Sequence, residues 1–181
     1  MKKMINSVVF ASLAAAALAY TPAATAQLTR EAANGHGTLL SQNEMGKYVR
    51  RQFSFSATRQ ADGTVRGQAQ LHNPAFRGEN NAPYQLHVDI TCMKVVGNIA
   101  VMGGTTRRTN DPNLVDAVYF TAQDNGEPGR GNDRLSRAFF FDDDPDTTGD
   151  PQACLLTGPT DFPLEPIEAG NIQVRAGTSV Q

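Results

Sequence analysis

Residues 49–71, VRRQFSFSATRQADGTVRGQAQL, contain the pattern that decides the fold. Most odd positions of the first half are apolar and the positions between them are polar; the apolar residues are Val49, Phe53, Phe55 and Ala57. An alternation of period two is typical of a β-strand with one buried face. It resumes from Val65 to Leu71, after the turn-forming pair Asp62-Gly63. The stretch therefore predicts a β-hairpin with that pair in its turn.

The same periodicity predicts further strands along the chain. One strand is predicted with Tyr84, Leu86, Val88, Ile90 and Cys92 on a single face. Others are predicted at 99–102, 115–123, 135–141 and 170–174, with a polar loop at 105–113. Seven to nine short strands separated by turns predict an all-β fold, a single antiparallel β-sandwich or barrel.

The first 26 residues have the three parts of a secretory signal peptide. Lys2 and Lys3 precede an apolar run at about 8–19, and Ala24-Thr25-Ala26 supplies a small-residue cleavage site. A membrane anchor is the alternative, but spanning needs about 20 apolar residues. We therefore expect residues 1–26 to be cleaved and residues 27–181 to form one secreted or periplasmic domain.

Composition narrows the classes of partner. The 181-residue chain has a formal net charge of −2, and removal of Lys2 and Lys3 leaves 14 basic against 18 acidic residues, a net charge of −4. The arginines are scattered, without the basic runs and interleaved aromatics of a nucleic-acid-binding surface. No second long apolar run follows the first, so we expect no transmembrane segment in the mature chain.

Cys92 and Cys154 are the two cysteines of the chain, and both lie in the exported part. Two cysteines in an oxidising compartment most simply pair, so a Cys92–Cys154 disulfide is predicted. Two free buried thiols, or pairing with another chain, are the alternatives. A metal site built on these cysteines is not expected, because they lack the spacing of a zinc ligand set.

Motifs for catalysis are missing from the sequence. It contains no Gly-x-Ser-x-Gly elbow, no His-Glu-x-x-His helix and no phosphate-binding glycine loop. His36, His72 and His87 are dispersed. A pair of carboxylates could hydrolyse a glycoside, and the candidates by residue type are Glu44, Glu79, Glu127, Glu165 and Glu168. Solvated loop acids are the simpler interpretation, so we expect a protein that is not an enzyme.

Two polar loops are the candidate sites. In the acidic segment 142–150, Asp142, Asp144, Asp146 and Asp150 occupy relative positions 1, 3, 5 and 9 of a calcium loop. The match is partial, because Thr147 replaces the glycine and Ala153 replaces the bidentate glutamate. Solvent-exposed acids are the alternative to weak calcium binding. The surrounding region, 142–168, is predicted to be a long acidic excursion that Cys154 attaches to the domain.

The second candidate is the loop 124–133, DNGEPGRGND. Its possible binding residues are Asp124, Asn125, Glu127, Arg130 and Asp133. Loops on rigid β-scaffolds often carry binding sites. Turn formation explains the same composition, because Gly and Asn permit positive φ, Pro fixes φ, and Asp and Asn bond nearby amides. The turn-forming interpretation is favoured.

The segment from Phe120 to Gly129, with Asp133 after it, resembles a signature of small secreted bacterial domains associated with choice-of-anchor cell-surface proteins. The similarity extends over roughly residues 36–175, through ordered pieces such as 61–67, 90–92 and 170–174. This resemblance implies an exported all-β domain of uncharacterised biochemical function, with no catalytic residues to carry over.

Together these observations predict an exported, non-enzymatic β-domain with a binding or structural role at the cell envelope or outside the cell. An extracellular polysaccharide hydrolase that uses loop carboxylates is one alternative. A weak calcium-dependent adhesion module is the other. The sequence does not identify the ligand.

Overall fold

Antiparallel strands dominate the computed structural model, which describes residues 30–43, 45–111, 117–140 and 149–177. The all-β prediction is confirmed. Within these residues there are two short 3-10 helices, Glu79–Asn81 and Pro151–Leu155, and ten strands. The strands are β1 Ala32–Gln42, β2 Tyr48–Arg59, β3 Val65–Arg77, β4 Pro83–Val96, β5 Ile99–Thr109, β6 Ala117–Gln123, β7 Arg134–Ser136, β8 Phe139–Phe140, β9 Leu164–Pro166 and β10 Ala169–Arg175.

The predicted hairpin is confirmed as β2 and β3, with Ala57 opposite Gly67. Phe53 and Phe55 are buried, and Ser54 between them and Ser56 after them are exposed, as an alternating strand requires. In the turn, the Asp62 carboxylate accepts hydrogen bonds from the amide and the hydroxyl of Thr64. These local contacts explain why the sequence pattern was sufficient to predict the element.

Several strands differ from the sequence prediction. β1 and β9 were not predicted, and the 135–141 segment contains two separate short strands, β7 and β8. β5 does not stop at Gly103-Gly104 but continues to Thr109, so most of the predicted polar loop is strand. Gly103 serves close packing instead, because a Cβ there would collide with the carbonyl of Pro151.

All ten strands belong to one sheet, in the order β10-β1-β2-β3-β4-β5-β6-β7-β9, with β8 paired to β6. It is neither two stacked sheets nor a ladder closed into a barrel. Its edge strands β9 and β10 are consecutive in the chain, joined by Ile167 and Glu168. β10 also contacts β6, so the sheet curls until its two ends approach each other.

The concave face of the curled sheet encloses the main hydrophobic core. Its largest fully buried side chains are Leu39, Leu86, Ile90, Met93, Met102, Ile167, Ile172 and Val118. Burial removes these apolar side chains from water, and this transfer is the main driving force for folding. The core therefore draws on strands from the whole width of the sheet.

A second, smaller apolar cluster contains Cys92, Val101, Ala117, Tyr119, Cys154 and Phe162. The register shifts between Ile90 and Cys92, and Met93 instead joins the main core. A β-bulge changes the alternation of a strand in this way. The prediction that Cys92 shares a face with Ile90 was therefore wrong. The predicted disulfide is confirmed: Cys92 and Cys154 are bonded, with their Cα atoms 6.2 Å apart.

The part of the acidic excursion that the structure describes, 149–168, is not a free loop. Its 3-10 helix packs on β4 and β5, and its β9 pairs with β7. The predicted signal peptide, residues 1–26, lies outside the described residues. Among the residues described, no helix has the length and apolar character needed to cross a membrane.

Candidate functional site

A cleft of about 690 Å³ opens where β1 connects to β2 and β3 connects to β4. Such a volume lies within the usual range of small-molecule sites. Apolar side chains form much of its wall, including Leu71, Phe76, Tyr84, Ala138 and Phe140. The charged residues of its described lining are Arg51, Arg77, Arg137 and Asp111. The cleft thus combines an apolar wall with an excess of cations.

Arg51 is the unusual member of this lining, because its side chain is only 2% exposed. Its Nη2 donates to Oε2 of Glu165, and Arg137 Nε donates to the other oxygen of the same carboxylate at 3.0 Å. One glutamate therefore holds two arginines. Within the described part of the chain, the buried Nε of Arg51 has no hydrogen-bond partner.

Burial is the main influence on the electrostatics of Arg51. Burial lowers the pKa of its guanidinium, and the positive charge of Arg137 lowers it further. The charge of Glu165 acts in the opposite direction. A buried charge is tolerated only when it is paired and hydrogen-bonded. The Arg51–Glu165–Arg137 cluster meets this need in part and keeps a net positive charge.

Arg51 reaches the interior because of its position in β2. It lies opposite Leu39 and points to the same buried face of the strand as Phe53 and Phe55. Sequence reasoning did not select it, although one signal was present. This signal is a charged residue, Arg51, at a position where the alternation of β2 predicts a buried apolar side chain. Such a residue indicates either the edge of the core or a binding site.

Tyr84, at the start of β4, adds a second buried polar group to the wall. Burial raises the pKa of its hydroxyl to about 12, although the nearby Thr109 hydroxyl opposes the shift. The hydroxyl oxygen makes no hydrogen bond of normal geometry within the described residues. It therefore remains protonated at neutral pH.

The predicted binding loop 124–133 lies at the other end of the sheet and does not line the cleft. Asp133 is fully buried, and its two carboxylate oxygens accept from the amides of Asn125 and Ile172 at 2.8 and 2.7 Å. Asp124 accepts from the amide of Val174 at 3.0 Å. These two aspartates connect the loop to β10. The loop therefore bridges the seam of the curled sheet, which is the line where edge strand β10 approaches β6.

The other residues of the loop reinforce the same seam. Glu127 accepts from the side-chain amide of Asn171 at 2.7 Å, and Asn125 donates to the carbonyl of Asn132. Gly129 is packed so closely that a Cβ would meet the side-chain oxygens of Asp133 and Asn171. Arg130 is exposed. Four of the five predicted binding residues therefore make hydrogen bonds within the protein that hold the loop in place: Asp124, Asn125, Glu127 and Asp133.

The predicted calcium ligands Asp142, Asp144 and Asp146 lie outside the described residues, and calcium binding stays a prediction. Asp150 accepts from the amide of Gln152 at the start of the second 3-10 helix. No group of three or more His, Cys, Asp or Glu side chains that could hold a metal ion occurs in the described ranges.

The carboxylates considered for glycoside hydrolysis are spread over the molecule. Glu165 is held by two arginines, Glu127 by Asn171, and Glu168 lies 3.6 Å from Arg50. Glu79 is exposed in the first 3-10 helix, and Glu44 lies outside the described residues. Of the four that the structure describes, Glu165 is the one that contacts residues lining the cleft.

Comparison with protein-family models, curated proteins and solved structures finds no match for this chain. The candidate site is therefore defined by its own geometry: a partly apolar cleft with a buried, incompletely paired arginine.

Proposed function

We propose that the protein is an exported, non-enzymatic binding domain whose ligand site is the cleft beside Arg51. The observation that carries this proposal is the nearly complete burial of Arg51 in the wall of a cleft of about 690 Å³. Burying a cation is costly, and the hydrophobic core would be served equally well by an apolar residue at that position. A binding role gives this charge a use.

Binding is favoured over catalysis by the state of Glu165, the acidic group that contacts Arg51. Both oxygens of Glu165 accept hydrogen bonds from arginines. A general base must be free to reach a proton of the substrate. The predicted signal peptide, the Cys92–Cys154 disulfide and the resemblance to secreted domains of choice-of-anchor systems support a location outside the cytoplasm.

The test is a fragment screen on the oxidised mature chain, read by amide NMR shifts. We expect shifts to cluster at Leu71, Phe76 and Ala138, which line the cleft. Phe76→Ala should weaken binding, because Phe76 is a 48% exposed lining residue whose loss leaves the core intact. The matched control is Leu156→Ala, which removes a side chain that is 88% exposed and does not line the cleft. Shifts confined to other surfaces would contradict the proposal.

A further inference from the structure

We propose that the ligand of the cleft is a small amphipathic anion, with a carboxylate at the arginines and an apolar chain along Leu71, Ala138 and Phe140. This inference rests on the proposed binding function and adds the chemical class of the ligand to it.

Charge is the first argument. Among the described residues, Arg51, Arg77 and Arg137 line the cleft, and the acidic groups set against them are Asp111 in the lining and Glu165 behind it. Three cations against two anions leave one positive charge. The chain as a whole carries −2. A local positive charge on an acidic protein attracts anions specifically to this place.

The incomplete pairing of Arg51 is the second argument. Glu165 divides its two oxygens between Arg51 and Arg137, and the buried Nε of Arg51 is left without a partner in the part of the chain described. Arg137 is 57% exposed, so a ligand can reach its guanidinium from solvent. An incoming carboxylate at Arg137 would supply the second anion that this cluster lacks. Planar guanidinium groups match carboxylates particularly well.

The apolar wall is the third argument, because it indicates more than an inorganic anion. A smaller cavity of about 30 Å³ shares Leu71 and Ala138 with the cleft. Its remaining wall includes Phe53, Phe120 and Val88 from the concave core. Leu71, Ala138 and Phe140 form an apolar wall of the cleft, and an aliphatic chain that starts at the arginines would be removed from water along them.

The experiment compares three ligands with the same eight-carbon chain: octanoate, octanol and octylammonium. Affinities for the oxidised mature chain are measured by NMR titration at low salt, below the aggregation concentration of each ligand. We expect octanoate to bind at least about tenfold more tightly than octanol, in line with a charge-assisted hydrogen bond. Octylammonium should bind most weakly.

The arginine variants test where the carboxylate binds. Arg137→Gln should reduce the preference for octanoate over octanol to near unity while octanol affinity is kept. Arg134→Gln is the matched control, because Arg134 is exposed on the same strand region but does not line the cleft. If the Arg137 variant unfolds, Arg77→Gln is used instead, and it should also reduce the preference for octanoate over octanol.

The possible outcomes separate the two proposals. Equal binding of all three ligands, or a preference for octylammonium, overturns the anion inference and leaves the binding function intact. Fragments that bind in the cleft while no eight-carbon ligand does so have the same consequence. Failure of both fragments and amphiphiles overturns both proposals. Binding to phosphatidylglycerol vesicles without binding of octanoate would identify a membrane surface as the occupant and reject the monomeric ligand.

Discussion

The carboxylate of Asp133 accepts a hydrogen bond of 2.7 Å from the backbone amide of Ile172, and this contact joins the 124–133 loop to edge strand β10. Asp124 repeats the contact two residues further along, at the amide of Val174. Side-chain carboxylates thus satisfy amides on the side of β10 that faces away from β1. An exposed strand edge invites pairing with another chain, and the loop blocks this edge.

The seam predicts a strong dependence of stability on Asp133. Asp133→Ala leaves the part-buried amide of Asn125 and the buried amide of Ile172 without their acceptor. We expect the free energy of unfolding to fall by about 3–5 kcal/mol, since a hydrogen bond to a charged group contributes about 1.5–3 kcal/mol. Asp133→Asn retains one acceptor oxygen and should lose less. Urea denaturation measures both, with the exposed Arg130→Ala as control. Equal midpoints for all three variants would show that the seam is not needed.

Because Glu165 is shared by two arginines, its replacement should destabilise the protein more than replacement of Arg51. Glu165→Gln leaves Arg51 buried beside the positive charge of Arg137. Removing one partner of a buried pair costs about 3–5 kcal/mol, and we expect a loss of this size. Arg51→Met should cost clearly less, because Glu165 is 28% exposed and keeps its contact with Arg137. Thermal or urea unfolding distinguishes them; a larger loss for Arg51→Met would contradict the predicted asymmetry.

Burial of Tyr84 predicts a decline in stability at alkaline pH. Its folded-state pKa is raised to about 12, whereas an unfolded tyrosine titrates near 10. Between these values the unfolded chain loses the proton that the folded protein keeps. The free energy of unfolding should therefore decrease by about 2–3 kcal/mol as the pH rises through this window. Tyr84→Phe should lack this part of the decline. Parallel stability curves for the two proteins from pH 9.5 to 12 would refute it.

The disulfide predicts a large effect of removing both cysteines together. Cys92 and Cys154 are separated by 62 residues, and the chain-entropy model assigns about 4 kcal/mol to a loop of that length. A Cys92→Ala, Cys154→Ala double variant should lose roughly this much free energy of unfolding by denaturant titration. Mass analysis of the denatured, unreduced wild type after maleimide treatment should find no labelled thiol. Two labelled thiols would refute the bridge.

The sequence predicted those parts of the fold that depend on local pattern. The alternation in 49–71 placed Phe53 and Phe55 on one face, and the turn at Asp62-Gly63 is held by contacts two residues apart. β1 was missed because its glycines and polar residues obscure the alternation. β5 was ended too early because Gly103, which packs against Pro151, has the appearance of a breaker.

By itself, then, the sequence determined the all-β class, the central hairpin and the pairing of its two cysteines. These follow from side-chain alternation, turn chemistry and the count of thiols in a chain that is predicted to be exported. Only the tertiary structure decided that Asp133 serves the seam and that Arg51 faces a cleft. Each depends on a partner distant in the chain: Glu165 is 114 residues from Arg51, and Ile172 is 39 residues from Asp133. Local periodicity cannot predict such partners, because they come together only when the whole sheet curls.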